Sequence, residues 1–168
     1  MGNVLSGKAV SQGVLGNTVS KVYTPLVVET KVLFTVTGVV LVTGIVGRVT
    51  TAITVANTVK LQANPTTGTT SDLCAATDLG TTDTPAGNLL SITGAPAEVM
   101  ITGIGAVQRF PVTEAQPTAV TTVMTGGAQG IYVAAGSIEQ VTGTGADGGI
   151  TWYLSYVPIS LDGSVVAA

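Results

Sequence analysis

Between residues 150 and 157 the side chains alternate along the chain. Ile150, Trp152, Leu154 and Tyr156 fall on one parity, and Thr151, Tyr153, Ser155 and Val157 on the other. A period of two marks a strand with one face against a core. This segment therefore predicts a strand ended by Pro158, with Trp152 and Tyr156 in the core and Tyr153 opposite, at an edge or interface. Further upstream, Phe34 and Val36 alternate with Thr35 and Thr37 in a strand expected from Leu26 to Thr37, which Gly38 breaks or bulges. Val39 to Val46 is almost continuously apolar, as in a strand covered on both faces. Gly47-Arg48 reads as a tight connection into another strand, Val49 to Val55. Thr58 to Ala63 follows, with Val59 and Leu61 set against Lys60 and Gln62.

Residues 64–88 change character. Asn64-Pro-Thr-Thr-Gly-Thr-Thr-Ser-Asp is turn chemistry, Leu73 to Ala76 is a brief apolar insert, and Asp78 to Asn88 is loop-like again. A long loop or short hairpin projecting from the core is expected here. Strands resume at Leu89 to Thr93, Glu98 to Ile104, Gln108 to Val112, Thr118 to Met124, Ile131 to Ala134 and Ser137 to Val141, followed by a glycine-rich turn, 143–149. Residues 1–24 show no period and read as an extended arm with room for one short strand. The expected architecture is that arm followed by a single all-β domain over 25–168. The domain is a jelly-roll-like sandwich or barrel of about 9–11 short strands without a substantial helix.

Composition sharpens the picture. Val and Thr make up about a third of the 168 residues, and both favour a pleated, half-buried backbone. Charged residues are only 9%, against about 25% in ordinary soluble domains. With a mean hydropathy of +0.56, such a chain is expected to hide much of its surface in contacts with copies of itself or with a larger partner. Net charge is -3 and the six cations, Lys8, Lys21, Lys31, Arg48, Lys60 and Arg109, stand singly, so no basic footprint for nucleic acid is present. The uncharged stretch Val32 to Gly47 is shorter than the roughly 20 residues a membrane helix needs, and its threonines and glycines suit strands. No membrane partner and no secretion signal are expected.

The chain has no histidine and one cysteine. That removes histidine-based acid–base chemistry, Ser-His-Asp arrangements and a thiolate zinc site, and Cys74 is expected to be a buried thiol. The nine acids are scattered, and no phosphate-binding glycine motif occurs. A non-enzymatic protein without cofactors is the expectation. Asp72, Asp78 and Asp83 share one polar loop and form a weak calcium candidate, because calcium favours oxygen-rich loops; their spacing does not match the EF-hand series, and solvated loop acids are the alternative.

Two segments carry a resemblance. One is Thr50-Thr-Ala-Ile-Thr-Val-Ala-Asn-Thr-Val-Lys-Leu-Gln-Ala-Asn-Pro-Thr-Thr-Gly-Thr followed by Asp72-Leu-Cys-Ala-Ala. The other is Ile150-Thr-Trp-Tyr-Leu-Ser-Tyr-Val-Pro-Ile closing on Gly163-Ser-Val-Val-Ala-Ala. In these the chain resembles small structural proteins of tailed bacteriophages and prophages, and among them capsid decoration (cement) proteins. The resemblance implies a compact β-barrel or jelly roll that trimerises on a capsid three-fold, clamps the major capsid protein shell from the exterior of the virion, and is made in the bacterial host cytoplasm. A trimeric fibre, spike or other receptor-facing appendage is the alternative, and a tail-tube or shell-building subunit the second. No binding residue of the family carries over, because no such motif is matched. Residues 1–24 and the tail after Pro158 are the expected contact segments between subunits.

Overall fold

A computed structural model describes residues 16–103, 130–145 and 147–168. Within them the β-branched, alternating segments form twelve strands and no helix. They are β1 (Asn17–Tyr23), β2 (Thr30–Thr37), β3 (Val40–Thr51), β4 (Thr58–Pro65), β5 (Ser71–Asp72), β6 (Thr77–Asp78), β7 (Leu89–Ser91), β8 (Ile101–Thr102), β9 (Ile131–Val133), β10 (Gly136–Thr142), β11 (Gly149–Pro158) and β12 (Ser164–Ala167). The strands expected at 108–112 and 118–124 lie outside the described residues, as do residues 1–15 of the expected arm.

The strands make two antiparallel sheets. The first runs β1-β11-β3-β7-β8 with β9 also on β3; the second runs β12-β2-β10-β4-β5 with β6 also on β4. The pairing is nested: β1 with β11, β2 with β10, β3 with β7, and β4 with β5 and β6. Two further ladders, β11 on β3 and β10 on β4, fold this long hairpin over itself. Successive long strands thus alternate between sheets, which is the jelly-roll arrangement. The barrel alternative is not what forms: β1 and β8 edge one sheet, β12 and β5 the other, and no ladder among the described residues joins them.

The core lies between the sheets and is filled by inward parities from both. Ile150, Trp152 and Leu154 of β11 meet Phe34, Val36, Leu61 and Ile138 of the second sheet, all buried. Burying each aliphatic side chain contributes about 1.5–3 kcal/mol. A bulge in β2 adds to the core: Ile138 opposes Phe34 while Glu139 opposes Val32, so Leu33 is skipped and both Leu33 and Phe34 are fully buried. Trp152 cannot be buried on apolar contacts alone, since its indole N–H needs an acceptor. It donates to Gln140 Oε1 of the opposite sheet at 2.7 Å, and Gln140 Nε2 donates to Thr142 Oγ1 at 2.8 Å.

One expectation needs correction. Gly47-Arg48 is not a connection, because β3 runs unbroken through it. Gly47 stands directly across from Trp152, and a Cβ there would come within 2.8 Å of the indole. The glycine is therefore space for a ring rather than a turn. Residues 17–23 supply the one short strand of the expected arm: every one of them pairs with β11, with Val19 and Tyr23 turned to the core. Residues 64–88 include a short hairpin, β4 with β5, whose connection at 66–70 is exposed. β5 and β6 fold back on β4, and Leu73, Cys74 and Leu79 are buried beneath them, because a brief apolar insert is more stable under the sheet than in water. The uncharged stretch 32–47 divides into β2 and β3, in different sheets.

Edge strand β1 carries its own protection. Lys21 sits on the inward parity and extends its ammonium to the carbonyl of Ala168, beside β12. An inward-pointing charge on an edge strand discourages another strand from adding there.

Two substitutions check the account of the core. Gly47→Ala should destabilise the protein by about 1–3 kcal/mol, the usual cost of overpacking. Gln140→Leu strands the Trp152 N–H and should cost about 1–3 kcal/mol. Both are read by urea unfolding followed through the fluorescence of Trp152, the single tryptophan; wild-type midpoints for both would overturn the account.

Candidate interaction surfaces

The three loop aspartates do not converge. Asp72 on β5 faces Gln62 and is held by Lys60 Nζ at 2.7 Å. Asp78 on β6 faces Thr58, four residues away along β4, or about 13 Å at roughly 3.3 Å per residue. Asp78 instead closes its own turn, accepting the Gly80 and Thr81 N–H groups at 3.1 Å each. Hydrogen bonds from Thr81, then from the Gly80 and Asn57 backbone, hold it below its ordinary value. Asp83 lies exposed in the 79–88 connection. Calcium needs six to eight oxygens at about 2.3–2.6 Å, and no group of three acidic or sulfur ligands forms among the described residues. Cys74 is a buried thiol whose sulfur accepts the Leu61 N–H at 3.3 Å. Burial pushes that thiol up, away from the reactive thiolate.

A polar cluster not visible in sequence lies on the outward face of the second sheet. Glu139 is only 5% exposed there. It accepts Ser137 Oγ at 2.6 Å, Gln62 Nε2 at 2.8 Å and Asn64 Nδ2 at 3.0 Å, and Thr70 Oγ1 donates to Asn64 Oδ1. Burial pushes its carboxyl up, but the three donors outweigh this and hold it below its ordinary value. The signal in sequence is one of parity alone: Gln62 and Asn64 share the polar side of β4. The β4–β10 register brings Glu139 against them from 77 and 75 residues away.

Four connections, 24–29, 52–57, 79–88 and 143–148, meet at one end of the sandwich. Leu26 N–H bonds to Gly148 O, Leu79 N–H to Asn57 O, and Ile53 and Thr84 exchange backbone hydrogen bonds. Asp147 clamps the 52–57 connection, accepting the Thr54 N–H, the Thr54 hydroxyl and the Val55 N–H at 2.8–3.2 Å. The Tyr23 hydroxyl clamps 24–29, accepting the Val27 N–H at 3.1 Å and facing the Glu29 carboxylate at 3.0 Å. Burial first, then Glu29, push this phenol up. On these fixed loops Val27, Val28 and Val55 stand 49%, 58% and 48% exposed.

The opposite end is also apolar. Val39 donates its N–H to Ser160 Oγ at 2.8 Å and accepts those of Ile159 and Ser160, so the 159–163 turn is rigid, with Leu161 fully exposed at its tip. Gly38, at φ +63°, has no room for a Cβ beside Ser160 and Asp162. Along the outward face of the first sheet run Val22, Tyr153 and Tyr132, with Arg48 the one charge on that parity among the described residues. Tyr153 is thus outward and Trp152 and Tyr156 inward, as alternation predicts.

Set against family profiles, curated proteins and solved structures, the chain finds no match in any of the three.

Glu139, Asp78 and Asp147 all sit below their ordinary values, so folding favours their ionised forms. Their stabilisation is complete above the ordinary values, 4.5 for Glu and 3.8 for Asp, and is lost as the pH falls through the lower folded values. Glu139→Gln should therefore melt below wild type at pH 7 and approach it as the pH falls toward about 3. A constant gap in melting temperature across that range would remove Glu139 from the account.

Proposed function

We propose that the chain is a virion structural protein of a tailed bacteriophage, a decoration protein that binds and stabilises a capsid shell and works without catalysis. The observation that carries this reading is the surface. A rigid all-β sandwich exposes Leu161, Tyr132, Val22, Val27, Val28 and Val55 while only 9% of the chain is charged. Lone exposed apolar residues are ordinary, but runs of them on a charge-poor surface mark contact sites. The jelly-roll pairing supports the reading in a general way, since viral capsid domains use it; lectin domains and cupins use it too, so the topology alone assigns nothing. The resemblance of the segments at 50–69, 72–76, 150–159 and 163–168 to phage structural proteins supports, within this proposal, the major capsid protein as the partner. Assembly as a trimer on capsid three-folds belongs to the same proposal.

Copy number per purified particle, measured by quantitative mass spectrometry against the major shell protein, tests this. Hundreds of copies in simple ratio to the shell protein are expected, together with earlier thermal rupture of shells stripped of the chain. A handful of copies would instead assign a fibre or tail part, and absence from particles would end the virion reading.

A further inference from the structure

The two ends of the sandwich differ in charge. At the end where 24–29, 52–57, 79–88 and 143–148 meet, the described acids are Glu29, Asp78, Asp83 and Asp147; the nearby cations Lys31 of β2 and Lys60 of β4 each already hold an acid, Glu29 at 3.6 Å and Asp72 at 2.7 Å. The opposite end exposes Leu161 and Ile159 beside Asp162, and nothing there says what covers it. At the acidic end, by contrast, charge restricts the occupant. An anionic membrane surface and a nucleic acid would both be repelled. A second copy placed tip to tip about a two-fold axis would set acids against acids.

We propose that this valine-tipped, acidic loop end is a docking surface for a partner protein whose contact site is an apolar recess rimmed by lysine or arginine. The identity of that partner rests on the virion reading above, which makes it the capsid shell. The tip is suited to the task because its loops are already ordered. Asp147 fixes Thr54 and Val55, the Tyr23 hydroxyl fixes Val27, and Leu26 is tied to Gly148. Apolar side chains held in place before contact lose little conformational entropy on binding. The surrounding acids act on orientation and on the rate of encounter. Asp78 and Asp147 serve by holding the loops, and Asp83, exposed and outside any clamp described above, is the acid left to face the partner.

The test is re-binding of the full-length chain to particles stripped of it. Wild type should bind, and raising sodium chloride from about 50 to about 500 mM should weaken binding, since exposed charges are screened over that range. Val27→Ser, Val28→Ser and Val55→Ser together should weaken it at least tenfold, roughly the loss of one binding hot spot. Asp83→Lys with Thr82→Lys should act in the same direction and flatten the salt dependence. Leu161→Ser should bind as wild type, and unchanged melting curves for all variants show that the fold persists. Wild-type affinity in the valine variant, salt-independent binding, or a loss confined to Leu161→Ser would overturn the tip as the docking surface while leaving the virion reading in place. Binding of wild type to vesicles containing anionic lipid, abolished in the valine variant, would overturn the protein partner. Native particles that carry none of the chain would overturn the virion reading and the proposed partner together.

Discussion

An indole N–H buried between two sheets must find an acceptor, and in this protein the acceptor comes from the facing sheet. Trp152 of β11 donates to Gln140 of β10, and Gln140 donates on to Thr142. This polar link crosses the core and fixes how the two sheets face each other. Apolar packing alone has no direction and would tolerate sliding; a hydrogen bond left unmade inside a low-dielectric core is costly enough to forbid it. The glycine opposite Trp152 follows from the same constraint. Once the indole is held toward Gln140, its ring lies over position 47, and only a residue without a side chain fits beneath it.

The scarce charges are used in a consistent way. Asp147 and Asp78 bind backbone N–H groups of loops, Glu139 binds three neutral side chains, Lys60 and Lys31 each hold an acid, and Lys21 guards an edge strand. Most charges thus secure turns and edges, and large parts of the outer surface are left to Val, Thr, Tyr and Leu. One buried group departs from this economy: the Asn57 side-chain amide has no hydrogen-bond partner for either atom, although its backbone serves both Leu79 and Asp78. A domain that spends its charges on internal order has a rigid surface with little electrostatic barrier to contact. That physical property underlies the proposed role on a particle surface, and the acidic loop end is the one place where the sign of the charge adds direction.

Alternation in the sequence determined the strands and which side chains face inward, because a pleated strand sends successive residues to opposite sides whatever its partners are. Phe34 and Val36, Val59 and Leu61, and Ile150 through Tyr156 are legible on that ground alone, as is the all-β class from the abundance of Val and Thr. The role of Gly47 is not legible in sequence, because a glycine that makes room for a ring and a glycine that makes a turn look alike until the partner strand is known. The exact strands within 64–88 are not legible in sequence, because they are two residues long and exist only where β4 offers a ladder. The same limit applies to the sites. Asp72, Asp78 and Asp83 are close in sequence but are separated by their places along β4, whereas Glu139, Gln62 and Asn64 are distant in sequence and are joined by register. Strand pairing over 75 residues or more is decided by which sheet buries the most apolar surface with its polar groups satisfied. That balance belongs to the folded molecule, so local pattern fixes the parity of each residue and only the tertiary structure decides its neighbours.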